Sequence, residues 1–427
     1  MKEKVLPLTS ILPYACIVFP LAFASFPLYM FLPEYYHNKL NVTLVSISIS
    51  LFIIRLINAA IDPFIGYICD RFAKKNYLGL SIAAIIFVLS FIILYVPFFK
   101  NNLLNLIIGV FCISTSYSYF SIYVNTRGAL WKSSRANKSK IIIVREILAA
   151  LGVVIALLLL FCVTKYFANK LGLWLYITLF LILFISGFIS FFYWLKRSDA
   201  TVGQSKVASQ FNYKLKHYIK AFDRSGVYLY ITYALCVMAS AIGGVMFVFY
   251  TKYVLVSKGM NGLYLFLYFL AAVLSIYFVR PLAIRFGSIR MWLLSLIYAI
   301  VVFSFALMLN SGEKIQFSVI IFLLGLSLPF EVILPNLLLA QWIDQPARRR
   351  LGNGYYSWFA LIEKLSFAIA IITAFPLLHY ALRQTHTLSV FMIASIYCLI
   401  PILLKLFALA SLIFWLKDKK CQKVLLN

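Results

Sequence analysis

Long apolar runs dominate this sequence and limit the folds it can adopt. Segments of about twenty or more residues with few charges recur along the chain, and that length crosses the hydrocarbon core of a bilayer. Of the 427 residues, 64% are apolar and 12% are charged. The runs are continuously apolar rather than alternating, so they predict helices and not a barrel. The predicted fold class is therefore an all-α integral membrane protein.

The apolar runs divide into two sets around a polar stretch. This stretch predicts a cytoplasmic basic linker at 196–225, between an N-terminal six-helix bundle (1–195) and a C-terminal six-helix bundle with a short tail (226–427). The motifs CDRFAKKN and AIRFGSIR place Arg71 and Arg285 at matching points of the two halves. Such a repeat is typical of pseudo-symmetric two-bundle transporters. The twelve predicted spans are 11–33, 43–68, 77–97, 103–126, 141–164, 171–195, 226–251, 261–283, 288–309, 315–341, 354–379 and 387–416.

The net charge of +27 is explained by membrane topology. Most of the 39 Lys and Arg fall in the termini and in loops on one side of the predicted spans, and the positive-inside rule makes that side cytoplasmic. Contact with anionic lipid accounts for this charge without nucleic acid. We therefore expect a multi-pass protein of a bacterial inner membrane with both termini cytoplasmic. Its expected partners are membrane lipids and a small-molecule substrate, and we expect a monomer.

The second predicted span contains ionisable and polar residues on one helical face. In RLINAAIDPFIGYICDRFAKK, Arg55, Asn58 and Asp62 are spaced three and four apart. Asp62 lies roughly 12 Å deeper in the membrane than Asp70, at 1.5 Å per residue. Ionisable groups at such depth usually mark an ion or substrate path. Asp62 is thus a candidate proton or sodium site, and the alternative is a structural salt bridge.

Five further residues in the predicted spans carry polar chemistry. Lys364 is near the middle of span eleven, so it needs a carboxylate partner or a wet cavity. Glu331, in span ten, is interpreted either as a coupling residue or as the partner of a buried cation. Arg145 either contacts substrate or anchors span five by snorkelling to the cytoplasmic surface. Tyr123 either stacks on a ligand or packs between helices. Lys405 lies mid-span in the last helix, where the sequence assigns it no role.

Nucleotide, metal and hydrolase motifs are absent from the sequence. It has no G-x-x-x-x-G-K-[ST], no H-E-x-x-H and no Cys/His cluster. ATP-driven transport and intramembrane proteolysis are therefore disfavoured. We expect no enzyme activity, no bound metal and no cofactor.

Three regions of the sequence resemble known transporters. GYICDRFAKK, from Gly66 to Lys75, is similar to the G-x-x-x-D-R-x-x-R/K-R/K loop of the major facilitator superfamily. A longer pattern resembles the glycoside–pentoside–hexuronide:cation symporters, the melibiose-permease family. It consists of Arg55…Asp62-Pro-x-x-Gly66-x-x-x-Asp70 together with PLYMFLPEYY in span one. The stretch from span ten through Glu363-Lys364-Leu365 is similar to the same family.

This resemblance implies a fold and a set of roles. The fold would be two six-helix bundles around a central cavity, with Asp62 in the cation site, Lys364 beside it and Arg145 near the substrate. The candidate cation-coupling residues are Asp62, Asn58 and Lys364. The candidate substrate-binding residues are Arg55, Tyr123, Arg145, Glu331 and Lys364. The candidate cytoplasmic gate comprises Gly66, Asp70, Arg71, Lys74 and Lys75.

Departures from the family pattern bear on the coupling ion and the solute. Asn58 stands where sodium-coupled members carry a second carboxylate, which favours a proton, because sodium needs several oxygens and a proton needs one base. Ala22 and Tyr123 align with positions that are acidic in galactoside-binding members. Cations also predominate among the charges inside the spans. The prediction is a proton-coupled transporter of a small polar or anionic organic solute.

Three other functions stay open at the level of sequence. Within the transporter class, the alternatives are a carrier of lysophospholipid or a similar lipid, and a sodium-coupled sugar symporter. From another class, the alternative is a non-transporting membrane receptor or assembly factor that uses the 196–225 linker as its partner surface.

Overall fold

Helices make up almost all of the chain that the computed structural model describes. The described residues are 6–25, 32, 35–37, 39–72, 76–131, 135–166, 170–198, 226–257, 259–344, 346–349 and 351–417. Lys74, Lys75 and most of the predicted 196–225 linker lie outside them. The helices are α1 (Leu8–Ala15), α2 (Val18–Ser25), α3 (Leu44–Arg71), α4 (Asn76–Tyr95), α5 (Asn102–Leu130), α6 (Arg135–Tyr166), α7 (Lys170–Ser198), α8 (Val227–Tyr253), α9 (Asn261–Phe286), α10 (Ser288–Leu307), α11 (Lys314–Ile343), α12 (Pro346–Arg349), α13 (Gly352–Leu382) and α14 (His386–Lys417).

Eleven segments of the described chain are long and apolar enough to cross a membrane. The all-helical membrane fold is thereby confirmed, whereas the number twelve stays a prediction. The remaining predicted span, 141–164, lies within α6, which is helical over Arg135–Tyr166 but is not among the eleven.

The first predicted span, 11–33, begins earlier than expected and is interrupted. Helix α1 starts at Leu8, and the helical pattern breaks at Cys16 and Ile17 before α2 begins. Pro20 explains the break, because its ring clashes with the carbonyl of the residue four positions earlier, Cys16, and it has no N–H to donate. Residues 26–31 of this span lie outside the described chain.

The chain forms two compact units. The first comprises Met1–Ala221 together with Ile343–Leu361, and the second comprises Phe222–Trp342 together with Ile362–Asn427. The first turns of α13 therefore pack with the N-terminal helices. The domain boundaries predicted from the sequence, 1–195, 196–225 and 226–427, stay a prediction.

Aromatic side chains fill the core of the first unit. Helix α7 presents Phe180 and Phe184 one turn apart, and these rings stack on Phe91 and Phe87 of α4 with centroids 3.8 and 5.2 Å apart. The opposite face of α7 is apolar and exposed: Ile185 is 53% exposed. A large apolar surface of this kind is expected to face lipid in a membrane protein.

The last helix organises the second unit. Helix α14 packs along α8, where the rings of Tyr397 and Tyr250 stack with centroids 4.3 Å apart. The Thr232 hydroxyl of α8 donates a 3.1 Å hydrogen bond to Ser411 of α14. Helix α10 also packs against α14, and Trp292 of α10 is fully buried. Unit two is thus built around α14.

Candidate functional site

The Asn58–Asp62 face of α3 is buried in the first unit. Asn58 is 2% exposed and Asp62 has no exposed surface. The Thr115 hydroxyl of α5 donates a 2.7 Å hydrogen bond to the Asn58 carbonyl oxygen. Asp62 lies one helical turn further along the same face, as the spacing predicts.

The other predicted members of the coupling and substrate sets differ in burial and location. Arg55 is half-buried on α3 in the first unit. Lys364 is half-buried on the part of α13 that belongs to the second unit. Its neighbour Glu363 accepts a 3.3 Å hydrogen bond from the Tyr233 hydroxyl of α8. The roles of Arg55 and Lys364 stay predictions.

Arg145 of α6 is a buried cation in the first unit. Its side chain is 3% exposed, so the alternative in which it faces lipid as a snorkelling anchor does not fit. Its Nη2 lies 2.5 Å from Glu146 Oε1, and its Nε donates to the same oxygen at 3.3 Å. The buried Nη1 makes no hydrogen bond among the described residues. Arg145 therefore keeps donor capacity for an anionic group.

Tyrosines from three other helices surround this guanidinium and its neighbours. Tyr14 of α1 and Tyr356 of α13 lie within electrostatic range of Arg145. The Tyr14 hydroxyl donates a 2.7 Å hydrogen bond to the Val124 carbonyl of α5. Tyr123 of α5 is 2% exposed, and the Arg127 guanidinium lies 4.9 Å from its ring centroid. The first unit thus holds two buried guanidinium groups among aromatic rings.

The predicted gate residue Asp70 binds the start of α13. Its Oδ1 accepts a 2.6 Å hydrogen bond from the Asn353 amide, and its Oδ2 accepts a 3.2 Å bond from the Gly354 backbone N–H. A carboxylate at a helix N-terminus satisfies free backbone donors and complements the helix dipole. The sequence did not identify Asn353 as the partner, although the GNG segment that contains it is a signal for a close backbone approach.

Gly66 lets α13 approach α3 closely. A Cβ at this position would lie 2.6 Å from Ser357 Oγ and 2.8 Å from the Asn353 carbonyl oxygen. Of the other predicted gate residues, Arg71 is exposed and donates to the Tyr67 hydroxyl of its own helix. Lys74 and Lys75 lie outside the described residues. Gly66 and Asp70 therefore meet the same turn of α13, whereas Arg71 is exposed and bonds within its own helix.

A second contact ties the 343–361 segment to the N-terminal helices. Lys138 of α6 is 2% exposed, and its Nζ lies 2.5 Å from Asp344 Oδ2. Arg349 Nη2 lies 3.2 Å from the other oxygen of this carboxylate. The sequence alone does not indicate that Lys138 pairs with Asp344. The 343–361 segment is thus tied to the N-terminal helices at Asp344, through Lys138, and at Asn353 and Gly354, through Asp70.

The second unit contains a closed ion pair between α11 and α14. Lys405 Nζ lies 2.5 Å from each carboxylate oxygen of Glu331. This geometry corresponds to the second of the two interpretations of Glu331, a pair with a buried cation. Its predicted substrate role stays a prediction. In the described part of the chain, no three His, Cys, Asp or Glu side chains are grouped as a metal site would require.

Two helical units of apolar spans, with ionisable residues buried inside them, define a multi-pass membrane protein. The sequence profile of the MFS/sugar transport protein family matches residues 13–417, and the chain therefore belongs to this family. The predicted membership of the major facilitator superfamily is confirmed. Among curated proteins, no sequence matches significantly.

Solved structures support the same fold. A bacterial homologue of the iron transporter ferroportin, in an outward-facing state, aligns with a TM-score of 0.71 at 15% identity, covering 97% of this chain and 100% of the other. The Escherichia coli fucose:proton symporter FucP aligns with a TM-score of 0.65 at 12% identity, covering 96% and 98%. At such low identity these similarities establish the fold alone.

Proposed function

We propose that this protein is a proton-coupled secondary transporter that moves a small polar or anionic organic solute by alternating access. It would work in a bacterial inner membrane with both termini cytoplasmic. The main support for this proposal is the burial of Asp62. Its carboxylate has no exposed surface, lies in a candidate membrane span and is one turn from Asn58. Ionisable groups buried at membrane depth usually lie on an ion or substrate path. Asp62 is therefore the proposed proton carrier.

The composition of this face supports a proton over sodium. Asn58 supplies a neutral amide oxygen that already accepts a hydrogen bond from Thr115. With Asn58 rather than an acid one turn before Asp62, this helical face offers one carboxylate, which suits a proton, whereas sodium prefers several oxygen ligands. The similar structure FucP is described as a fucose:proton symporter, which agrees with this choice for a protein of the same fold.

Arg145 supports an anionic group on the solute. Its Nη1 is buried and makes no hydrogen bond among the described residues, while Glu146 neutralises the other side of the guanidinium. A carboxylate or phosphate would supply the acceptor, and bidentate pairing with arginine adds both strength and orientation. Tyr14 and Tyr356 would shield that contact from water.

The cytoplasmic gate would be the turn where α13 begins. Asp70 would hold this turn closed through Asn353 and Gly354, and Asp344 would hold the preceding segment through Lys138. Release of these contacts would free the first turns of α13 and open a path to the cytoplasm. Solute binding would switch these contacts only to the extent that the solute binds the open and closed states with different affinity.

A thermal-shift screen tests the proposed solute class. The purified protein is heated with matched acid and neutral solutes: D-galacturonate and D-galactose, L-lactate and glycerol, lysophosphatidylglycerol and monoacylglycerol. Binding to the folded state raises the unfolding midpoint by mass action. We expect stabilisation by a carboxylate and little by its neutral partner. Stabilisation by the lysolipid alone would favour a lipid carrier. Stabilisation by galactose alone would favour a sugar carrier.

A further inference from the structure

The mechanism proposed above does not use one buried charge pair of the second unit. Lys405 of α14 is 2% exposed and Glu331 of α11 is 7% exposed. Both carboxylate oxygens lie 2.5 Å from the single ammonium nitrogen. Sequence reasoning assigned no role to Lys405, and the structure shows its partner.

The setting of this pair is the interior of one bundle. Cys236 of α8 and Tyr268 of α9 lie within electrostatic range of Glu331, and Cys236 also lies within range of Lys405. Helices α8, α9, α11 and α14 therefore contribute side chains around one net-neutral centre. No other Lys, Arg, Asp or Glu interaction with this pair is found in the described chain.

The two helices that carry the pair are weakened nearby by proline. Pro329 and Pro335 flank Glu331 on α11, and Pro401 lies one turn before Lys405 on α14. Each proline removes a helical hydrogen bond and permits a bend. The Glu331–Lys405 ion pair, which is directional, would fix the packing of α11 against α14 near these prolines.

The geometry points to a structural role rather than a transport role. The Lys405 ammonium contacts both oxygens of Glu331 and neutralises the carboxylate, which disfavours binding of a proton or a cation in this state. Both partners belong to the same unit, so the pair need not open when the transporter changes conformation. A lone charge in either span would be strongly unfavourable in lipid. In the membrane, each residue therefore depends on the other.

We propose that Glu331 and Lys405 form an assembly clamp: a permanently closed, net-neutral pair that fixes the last span, α14, in one register inside the second unit. The clamp would form when α14 reaches α11 during assembly of the second unit. It would not load protons during transport. Removing one partner leaves a buried uncompensated charge, whereas removing both leaves none.

The test compares single and double neutralised variants without any solute. Glu331→Gln, Lys405→Met and the double variant are expressed in the same host and purified in detergent. We expect several-fold less monodisperse protein and a lower unfolding midpoint for each single variant. The double variant should recover most of the monodisperse yield and most of the unfolding midpoint. Lys252→Met, which removes an exposed lysine at the end of α8, should match the parent.

A cross-link reports the register of α14 directly. Thr232 and Ser411 are hydrogen-bonded across α8 and α14, so Thr232→Cys with Ser411→Cys should form a disulfide detectable by mass spectrometry. Its yield should fall in the folded fraction of each single variant and return in the double variant. Parent-like yield, midpoint and cross-linking in the single variants would overturn the clamp. A double variant as defective as the single ones would overturn it too, and neither result bears on Asp62.

Discussion

The Asp70 carboxylate accepts a 2.6 Å hydrogen bond from the side-chain amide of Asn353, across 283 residues of sequence. The same carboxylate accepts a second bond from the Gly354 backbone, inside the first turn of α13. Asp70 thus acts as a cap supplied by a distant helix. Its negative charge, its two acceptor oxygens and its 4% exposure all suit this position.

Loss of this cap should loosen the start of α13. Asp70→Ala removes two hydrogen bonds to a charged group, which are worth about 1.5–3 kcal/mol each. Ser357 is fully buried in the same turn, so a thiol introduced there by Ser357→Cys reports on its opening. We expect this thiol to react faster with a maleimide in the Asp70→Ala background. Glu313→Gln, which removes a carboxylate in the 310–314 turn, is the control. Equal reactivity in both backgrounds would show that Asp70 does not hold the turn.

Close packing at Gly66 gives a second prediction. Gly66→Ala would place a methyl group 2.6 Å from Ser357 Oγ, so we expect destabilisation of about 1–3 kcal/mol from overpacking. Gly244→Ala is the matched control, because a Cβ at Gly244 of α8 meets nothing within 4 Å. That change should be neutral or stabilising, since alanine favours a helix by up to about 1 kcal/mol. Thermal unfolding of the two variants measures the contrast, and equal midpoints would contradict the packing.

Arg145 should distinguish acids from neutral solutes. Arg145→Lys keeps the charge that Glu146 needs but loses the planar two-donor geometry. We expect roughly 10- to 100-fold weaker binding of whichever acid stabilises the parent protein, from the loss of about 1.5–3 kcal/mol. Isothermal titration with D-galacturonate, L-lactate and lysophosphatidylglycerol provides the measurement. Arg197→Gln, at an exposed arginine near the end of α7, should leave binding unchanged. Unchanged affinity in Arg145→Lys would remove this residue from the substrate site.

A single substitution should alter the ion preference. Asn58→Asp places a second carboxylate one turn before Asp62, where the Thr115 hydroxyl can still donate to it. Two adjacent carboxylates supply the oxygens that sodium needs, so this variant should gain a sodium-dependent rise in its unfolding midpoint. The comparison is sodium against choline chloride at one ionic strength, with Asn58→Ala as the control. A variant indifferent to sodium would indicate that Asn58 does not line an ion site.

The sequence predicted the features that depend on one helix and missed those that depend on two. Span length and the shared face of Asn58 and Asp62 follow from helical geometry alone. The break at Cys16 was also predictable, because Pro20 stands four residues later, but the apolar run concealed it. The pairing of Glu331 with Lys405, and of Lys138 with Asp344, requires knowing which helices touch. Nothing in a single sequence specifies those contacts, although pairing with a buried cation was one of the two interpretations of Glu331.

The central claim is that Asp62 carries the proton, and solute-evoked proton entry into liposomes tests it most directly. Protein is reconstituted with a pH-sensitive dye inside, and the matched acids and neutral solutes are added outside at constant buffered pH. The parent protein should acidify the lumen when a transported solute is added. Asp62→Asn, which keeps the size of the side chain, should fold and bind that solute but produce no acidification. Acidification equal to that of the parent protein would contradict the account.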